Sequence, residues 1–331
     1  MSHRFTNGPT FGGQANVQAS EIAFSIFTSV AAEFFDVLYP DYDWRNVLLQ
    51  EQVISEVSPG AISYGYMSRD MQGRAAYTAN IAGDNVPLVG QSAGAVTVPL
   101  AVSMIGAKIT NEDARQYAFG FNATLSSDLT EVMMKGSENL TESSFFFGDT
   151  SIGFLPWLDY PNITKGTAAA TGTAGGTTWA SKVGNPSLMV ADVNNAITAQ
   201  WSVTRGLFKL GSLFLPFSQF SLLANTPMVL GGVQLNVTAM AFLKENNLYT
   251  QLTGKPLEIM PLRYLTGAGV GPSDRLVLSD RNRQNQCMPF PIPYTPLQPV
   301  PGAASALFVA ENKTGSYHVR RTQSMYYLDG I

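Results

Sequence analysis

Residues 95–113 read AVTVPLAVSMIGAKITNED, and this stretch passes from a β-prone segment into the start of a helix. Apolar residues alternate with other side chains along residues 96–102, which is the period of a half-buried strand. The β-prone segment extends from Val53 to Ala107, and Gly, Pro and Asn clusters within it mark turns. Its only charged side chains are Glu56, Arg69, Asp70, Arg74 and Asp84. The segment therefore predicts strands joined as a long, extended hairpin.

A long amphipathic helix is predicted from Thr110 to Phe147. The sequence Thr110-Asn-Glu-Asp113 is a variant of the capping box, with two acids in the first turn. A helix of about 36 residues is roughly 54 Å long, whereas a compact monomer of this size has a radius of gyration of roughly 20 Å. Elements of this length suit a subunit that reaches across its neighbours. The apolar stripe consists of Ala114, Tyr117, Phe121, Leu125, Leu129, Val132, Met133 and Leu140.

Shorter helices and strands are predicted elsewhere, so the expected class is α+β. A helix begins near Ser20 and ends before Pro40, and another begins at Asn185-Pro186. The Gly, Ala and Thr content of Lys165–Thr178 predicts a flexible loop. Ala306–Tyr327 is expected to form strands around a turn at Lys313-Thr314-Gly315.

The composition is poor in charge. Charged residues make up 13% of the chain, against about 25% in typical soluble proteins, while the apolar share of 45% is ordinary. Free monomers keep a charged surface for solubility, whereas interfaces are depleted in charge. The deficit predicts extensive burial in an assembly. The alternative is a secreted, polar β-rich protein, which would remain monomeric on sizing.

Several classes of protein are disfavoured by simple counts. The net charge of −4 argues against tight recognition of phosphate across a broad face. Residues 1–14 contain no apolar core of a signal peptide, and no apolar run approaches the ~18 residues of a membrane span. The lone Cys287 excludes an intramolecular disulfide. Neither Cys287 nor His318 has partners at metal-ligand spacing, so we expect no metal and no cofactor.

Two glycine motifs could indicate chemistry. Gly90-Gln-Ser-Ala-Gly94 matches the G-x-S-x-G nucleophile elbow, which makes a serine hydrolase using Ser92 an alternative of another class, with His318 and an acid such as Asp280. The elbow needs a helix after the serine, whereas β-prone residues follow here, so we expect no enzyme. A serine-directed probe would discriminate. Residues 267–271, GAGVG, lack the G-x-G-x-x-G spacing and predict a loop.

The second half carries more distinctive patterns. Residues 254–269, GKPLEIMPLRYLTGAG, precede residues 273–282, SDRLVLSDRN, and the chain closes with residues 317–331, YHVRRTQSMYYLDGI. The sequence resembles the encapsulin-like major capsid proteins of tailed bacteriophages and prophages, whose fold is that of the Hong Kong 97 phage capsid protein. The order of predicted elements resembles that fold over nearly the whole chain.

The resemblance implies a division of the chain. It implies an N-terminal arm at 1–50, an extended loop at 51–108, a peripheral domain at 109–216 with a spine helix at 110–147, an axial domain at 217–301, and C-terminal strands at 302–331 that return to the peripheral domain.

The resemblance also implies a function. It implies a major capsid protein that self-assembles as pentamers and hexamers into an icosahedral shell around phage double-stranded DNA. The expected partners are copies of itself, portal, scaffolding and decoration proteins, and weakly bound DNA, with no membrane. The implied location is the virion capsid, assembled in the bacterial host cytoplasm. The alternative with the same fold is an encapsulin nanocompartment shell, which a genome neighbourhood with a cargo enzyme would indicate.

Arg69, Asp70 and Arg74 are the candidate inter-subunit contacts, because they lie near the middle of the predicted extended loop. A solvated loop tip is the alternative. Arg69→Glu combined with Arg74→Glu should leave the subunit folded and impair shell formation. Each exposed pair contributes only ~0–1 kcal/mol, yet the contact recurs throughout a lattice. Circular dichroism reports the fold and sedimentation reports assembly; an unchanged yield of particles would favour the solvated tip.

Overall fold

The computed structural model describes residues 42–72, 90–115, 125–171 and 175–331. The helix predicted near Ser20 and the tip of the predicted extended loop lie outside these ranges. The helices in the described ranges are α1 Trp44–Val47, α2 Leu125–Phe147, α3 Ser187–Thr204, α4 Phe217–Asn225, α5 Ala239–Glu245 and α6 Leu248–Thr253. Single 3₁₀ turns occur at Gln50–Gln52, Trp179–Lys182, Arg263–Leu265 and Thr322–Ser324.

The described strands are distributed along the whole length from residue 53 to residue 329. They are β1 Val53–Ile54, β2 Ser63–Gln72, β3 Gly90–Thr110, β4 Thr164–Thr167, β5 Ser212–Leu215, β6 Pro227–Leu230, β7 Val233–Thr238, β8 Glu258–Pro261, β9 Arg275–Ser279, β10 Gln286–Pro289, β11 Ile292–Pro296, β12 Val300–Pro301, β13 Ser305–Gly315, β14 His318–Val319 and β15 Met325–Asp329.

These strands form two larger and two smaller sheets. The hairpin sheet has the order β11-β13-β3-β2, with β12 also paired to β13. The central sheet has the order β4-β15-β9-β5-β8. A three-stranded sheet, β1-β10-β14, and a two-stranded hairpin, β6-β7, complete the described part of the chain.

Strand β3 is 21 residues long, which corresponds to roughly 70 Å at 3.3–3.4 Å per residue. Gly90–Pro99 pairs antiparallel with β2, and Leu100–Thr110 pairs antiparallel with β13. Pro99 lies where the pairing partner changes, a position at which a missing N–H does not interrupt a ladder. The strand predicted around residues 96–102 is therefore confirmed.

The central sheet separates two cores. Leu213, Leu276 and Leu278 face a core that includes α3 and Trp179, whereas the intervening Phe214 and Val277 face a second core containing the end of α2. Successive side chains of a strand point to opposite faces. Because both faces are covered, β5, β9 and β15 are buried at every position.

Strands of the central sheet come from three of the predicted segments. β4 and β5 lie in 109–216, β8 and β9 in 217–301, and β15 in 302–331. One hydrogen-bonded sheet therefore runs across the segment boundaries inferred from the sequence. The division of the chain into domains stays a prediction. The predicted spine helix is present as helical residues 111–115 and as α2, which ends at Phe147; residues 116–124 lie outside the described ranges.

Two local predictions are wrong. The N-terminal part of the predicted loop Lys165–Thr178 belongs to β4, which pairs in parallel with β15. The predicted turn at Lys313-Thr314-Gly315 is the end of β13, where these residues pair with Leu100–Val102. Gly315 is needed for close packing and not for a turn, because a Cβ there would lie 2.7 Å from Leu100 Cδ2.

A buried ion pair joins β9 and β15, which are neighbours in the central sheet. Arg275 on β9 and Asp329 on β15 are directly opposite, with Nε 2.5 Å from Oδ1 and Nη2 2.9 Å from Oδ2. Arg275 Nη1 also donates to the carbonyl oxygen of Leu158 at 2.6 Å. The backbone N–H of Val270 donates to Asp329 Oδ2 at 3.3 Å, which fixes the 267–271 loop against the sheet.

Removal of one member of this pair should be costly. Asp329→Asn should lower the free energy of unfolding by about 3 kcal/mol, because it removes the buried partner of Arg275 and leaves only the exposed Asp159 carboxylate, 3.3 Å from Arg275 Nη1, to balance that charge. Urea denaturation of unassembled subunits, followed by circular dichroism, measures the loss. The matched control is Glu131→Gln, which removes the exposed Glu131–Lys135 pair on α2 and should cost less than about 0.5 kcal/mol. Similar losses for both variants would contradict the assignment.

Candidate assembly surface

The outer part of the β2–β3 hairpin is a two-stranded ribbon. Along Ser63–Gln72, β2 pairs with β3 on one side, and no described strand pairs with its other side. Isolated two-stranded hairpins are marginally stable in water unless a further strand or packed element supports them. Met67 in the ribbon and Ile62 just before it are nevertheless 74% and 86% exposed to solvent. This ribbon is the clearest feature of the described chain that requires a partner.

The root of the ribbon is fastened to the body by a polar aromatic cluster. Tyr66 of β2 bonds His318 Nε2 at 2.8 Å, and Tyr160 bonds His318 Nδ1 at 3.1 Å. Arg320 Nη2 donates to the Tyr64 hydroxyl at 2.9 Å. The Arg320 guanidinium carbon lies 4.7 Å from the centre of the Tyr66 ring. We call Tyr64, Tyr66, Tyr160, His318 and Arg320 the root cluster.

The environment of the root cluster shifts the pKa values of His318, Tyr160 and Tyr66. Burial, and then the nearby Arg320 charge, lower the pKa of His318. Burial raises the pKa of Tyr160 to about 12 and also raises that of Tyr66. A neutral imidazole donates one hydrogen bond and accepts another, so it can bridge the two tyrosine hydroxyls.

The N-terminal end of the described chain is fastened along α2. The backbone N–H of Asp43 donates to Glu142 Oε1 at 2.9 Å, and Arg263 Nη2 donates to the same oxygen at 2.8 Å. Arg45 Nη2 lies 2.5 Å from Glu138 Oε1. Sequence reasoning missed these carboxylates. Their four-residue separation, which places both on one face of a helix, was the available signal.

The sequence-predicted contacts are only partly located. Arg69 is exposed on β2 and makes no ion pair within the described ranges, and its backbone lies opposite Ala93. The backbone of Asp70 lies opposite Ser92. The Asp70 side chain and all of Arg74 lie outside what the structure describes. The three candidate contacts therefore stay a prediction.

The hydrolase alternative finds no support in the geometry. Ser92 lies inside β3, which continues as a strand to Thr110, so no helix follows the serine as an elbow requires. Both ring nitrogens of His318 are bonded to tyrosines, and Asp280 accepts a hydrogen bond from Asn285 at 3.0 Å. Cys287 is buried in β10.

The described residues contain no group of three His, Cys, Asp or Glu side chains placed to hold a metal ion. Within the same ranges, no helix combines the length and apolar character that a membrane crossing requires.

Solved structures share this fold over almost the whole chain. The capsid of Myoviridae phage XM1 matches with a TM-score of 0.72 and 15% identity, covering 93% of this chain and 98% of that one. The capsid of a native GTA particle matches with a TM-score of 0.57 and 14% identity, covering 94% and 97%. Gordonia phage Cozz matches with a TM-score of 0.55 and 10% identity, covering 99% of each chain. No curated protein sequence matches the chain.

The fold is thus that of phage capsid proteins, and the predicted α+β, Hong Kong 97-like architecture is confirmed. The profile described as "Major capsid protein" matches residues 73–331. The chain belongs to the major capsid protein family. The encapsulin and hydrolase alternatives are not favoured by these matches.

The root cluster predicts a pH dependence of stability. The pKa of His318 is lowered in the folded chain, so the unfolded chain binds a proton first as the pH falls through about 6.5. The contribution of neutral His318 to the free energy of unfolding should therefore be complete above that pH and decrease toward pH 5. Denaturation of unassembled subunits across this range should give a smaller decrease for His318→Gln. His3 is present in both proteins, so the difference isolates His318; equal decreases would refute the prediction.

Proposed function

We propose that many copies of this chain assemble as pentamers and hexamers into an icosahedral shell that encloses phage double-stranded DNA. Membership of the major capsid protein family supports this proposal, as does the shared fold. The observation that carries it is the exposed β2–β3 ribbon, because a two-stranded element with uncovered apolar side chains gains its missing support from a neighbouring subunit.

The proposal gives each segment a role. Residues 1–50 act as an N-terminal arm and residues 51–108 as an extended loop that overlaps a neighbour. Residues 109–216 form the peripheral domain with its spine helix at 110–147, and residues 217–301 form the axial domain. Residues 302–331 return to the peripheral domain. Arg69, Asp70 and Arg74 contact the neighbouring subunit and fix where the loop lies.

The proposed partners and location follow from this role. The shell would contact portal, scaffolding and decoration proteins, and it would be assembled in the cytoplasm of a bacterial host before it becomes the virion capsid. The net charge of −4 suits a container that holds DNA weakly, because strong phosphate binding would oppose the release of the genome.

The test is expression of the full chain followed by electron microscopy and sedimentation. We expect closed shells or capsomers, because the exposed ribbon and the charge-poor surface become buried between subunits. A stable monomer of 35.7 kDa under all assembly conditions would contradict the proposal. Particles purified from a phage lysate should contain nuclease-protected DNA; particles that hold an enzyme cargo instead would indicate a nanocompartment.

A further inference from the structure

The hairpin sheet has one face covered by α2. A Cβ added to Gly136 of α2 would lie 2.7 Å from Ile105 Cδ1 of β3, so helix and strand are in close contact. On β13, Asn312 Nδ2 donates to Ser137 Oγ at 3.0 Å and to Thr141 Oγ1 at 3.2 Å. Adjacent strand residues point to opposite faces. The residues between these contacts therefore point away from α2.

That second face carries large apolar side chains that are exposed to solvent. Lys108 pairs with Leu307, which in turn pairs with Val300, and Met104 pairs with Glu311. Directly opposite residues share a face of a sheet, so these side chains form one surface across neighbouring strands. Its large apolar members are between 40% and 69% exposed. We call this set, Val102, Met104, Leu297, Val300 and Leu307, the open face.

A partner must pack against the open face and cannot add a strand to the edge of the sheet beside it. The sheet edge next to it, formed by β11 and β12, carries Pro293, Pro296 and Pro301. Proline has no N–H to donate, and natural sheets use it to block the addition of a further strand. The edge is therefore protected against pairing, while the face beside it keeps large apolar side chains exposed to solvent.

The chemistry of the open face disfavours DNA as its occupant. Lys108 and Glu311 lie on the same face with opposite charges. Lys313, opposite Val102, is buried and donates from Nζ to the carbonyl oxygen of Pro59 at 2.7 Å, so the surface offers no cluster of exposed cations to a polyanion. Contiguous aliphatic side chains fit another protein surface. A second copy of this chain is present wherever the first one assembles. Its composition, with only 13% charged residues, provides an equally charge-poor surface.

We infer that the open face is an inter-subunit contact that is covered by a second copy of this chain in the assembled particle. The inference rests on the proposed function and adds a specific surface to it. The open face includes none of the loop residues Arg69, Asp70 and Arg74, so the effects of substitutions in the two sets can be measured independently.

The first experiment changes the open face without changing the fold. Met104→Glu should reduce the yield of particles at least tenfold, because it places a charge in a contact that excludes water. Met104→Leu is the matched control and should assemble normally, since it retains an apolar side chain of similar size. Val300→Asp, on a different strand, should reproduce the loss. Circular dichroism and the urea midpoint of unassembled subunits should be unchanged in all variants.

The second experiment identifies the occupant. A photo-crosslinking amino acid at position 104 in intact particles should give a covalent dimer of the chain on a denaturing gel after illumination. Failure of the wild-type chain to form particles would contradict the proposed function. Normal particles from Met104→Glu and Val300→Asp, or particles without a covalent dimer, would overturn only the present inference. A cross-link to a different protein would also overturn it.

Discussion

Strand β3 belongs both to the β2–β3 ribbon and to the sheet that packs against α2. Its first half pairs with β2 and its second half pairs with β13, so the direction of the ribbon is set by the sheet under α2. The face of β3 that is buried also changes along the strand. Val98 is buried near the root cluster, on the face to which the exposed Met104 belongs, whereas Ile109 is buried on the opposite face. A single continuous backbone thus joins two separately packed regions.

The positioning of the ribbon depends on this continuity and on the root cluster together. Backbone pairing alone allows a two-stranded ribbon to twist and bend. The bonds from Tyr64 and Tyr66 to Arg320 and His318 add side-chain restraints at the point where the ribbon leaves the body. A ribbon restrained at its root presents its outer surface in a defined direction. This property is useful for a subunit whose contacts must repeat in a lattice.

Some of the few charges of this chain form buried ion pairs. Lys182 and Asp192 form an almost completely buried pair, and Asp192 also accepts a hydrogen bond from Trp179 Nε1 at 3.0 Å. Arg275 and Asp329 are buried between β9 and β15. Charges held in such pairs stabilise the fold and do not contribute to the surface. Large exposed apolar side chains are correspondingly frequent, and burial against other copies removes them from water.

The sequence by itself determined the features that depend on local pattern. The alternating residues 96–102 specify a strand, and the apolar stripe and charge deficit specify a long helix and an associating subunit, because these signals arise from neighbours along the chain. Tertiary structure decided the features that depend on residues distant in the sequence. Thr164–Thr167 becomes a strand only because β15 offers a free edge, and Lys313–Gly315 stays extended because β3 pairs with it. The contacts of Glu142 and His318 join residues far apart in sequence, so no local pattern could place them.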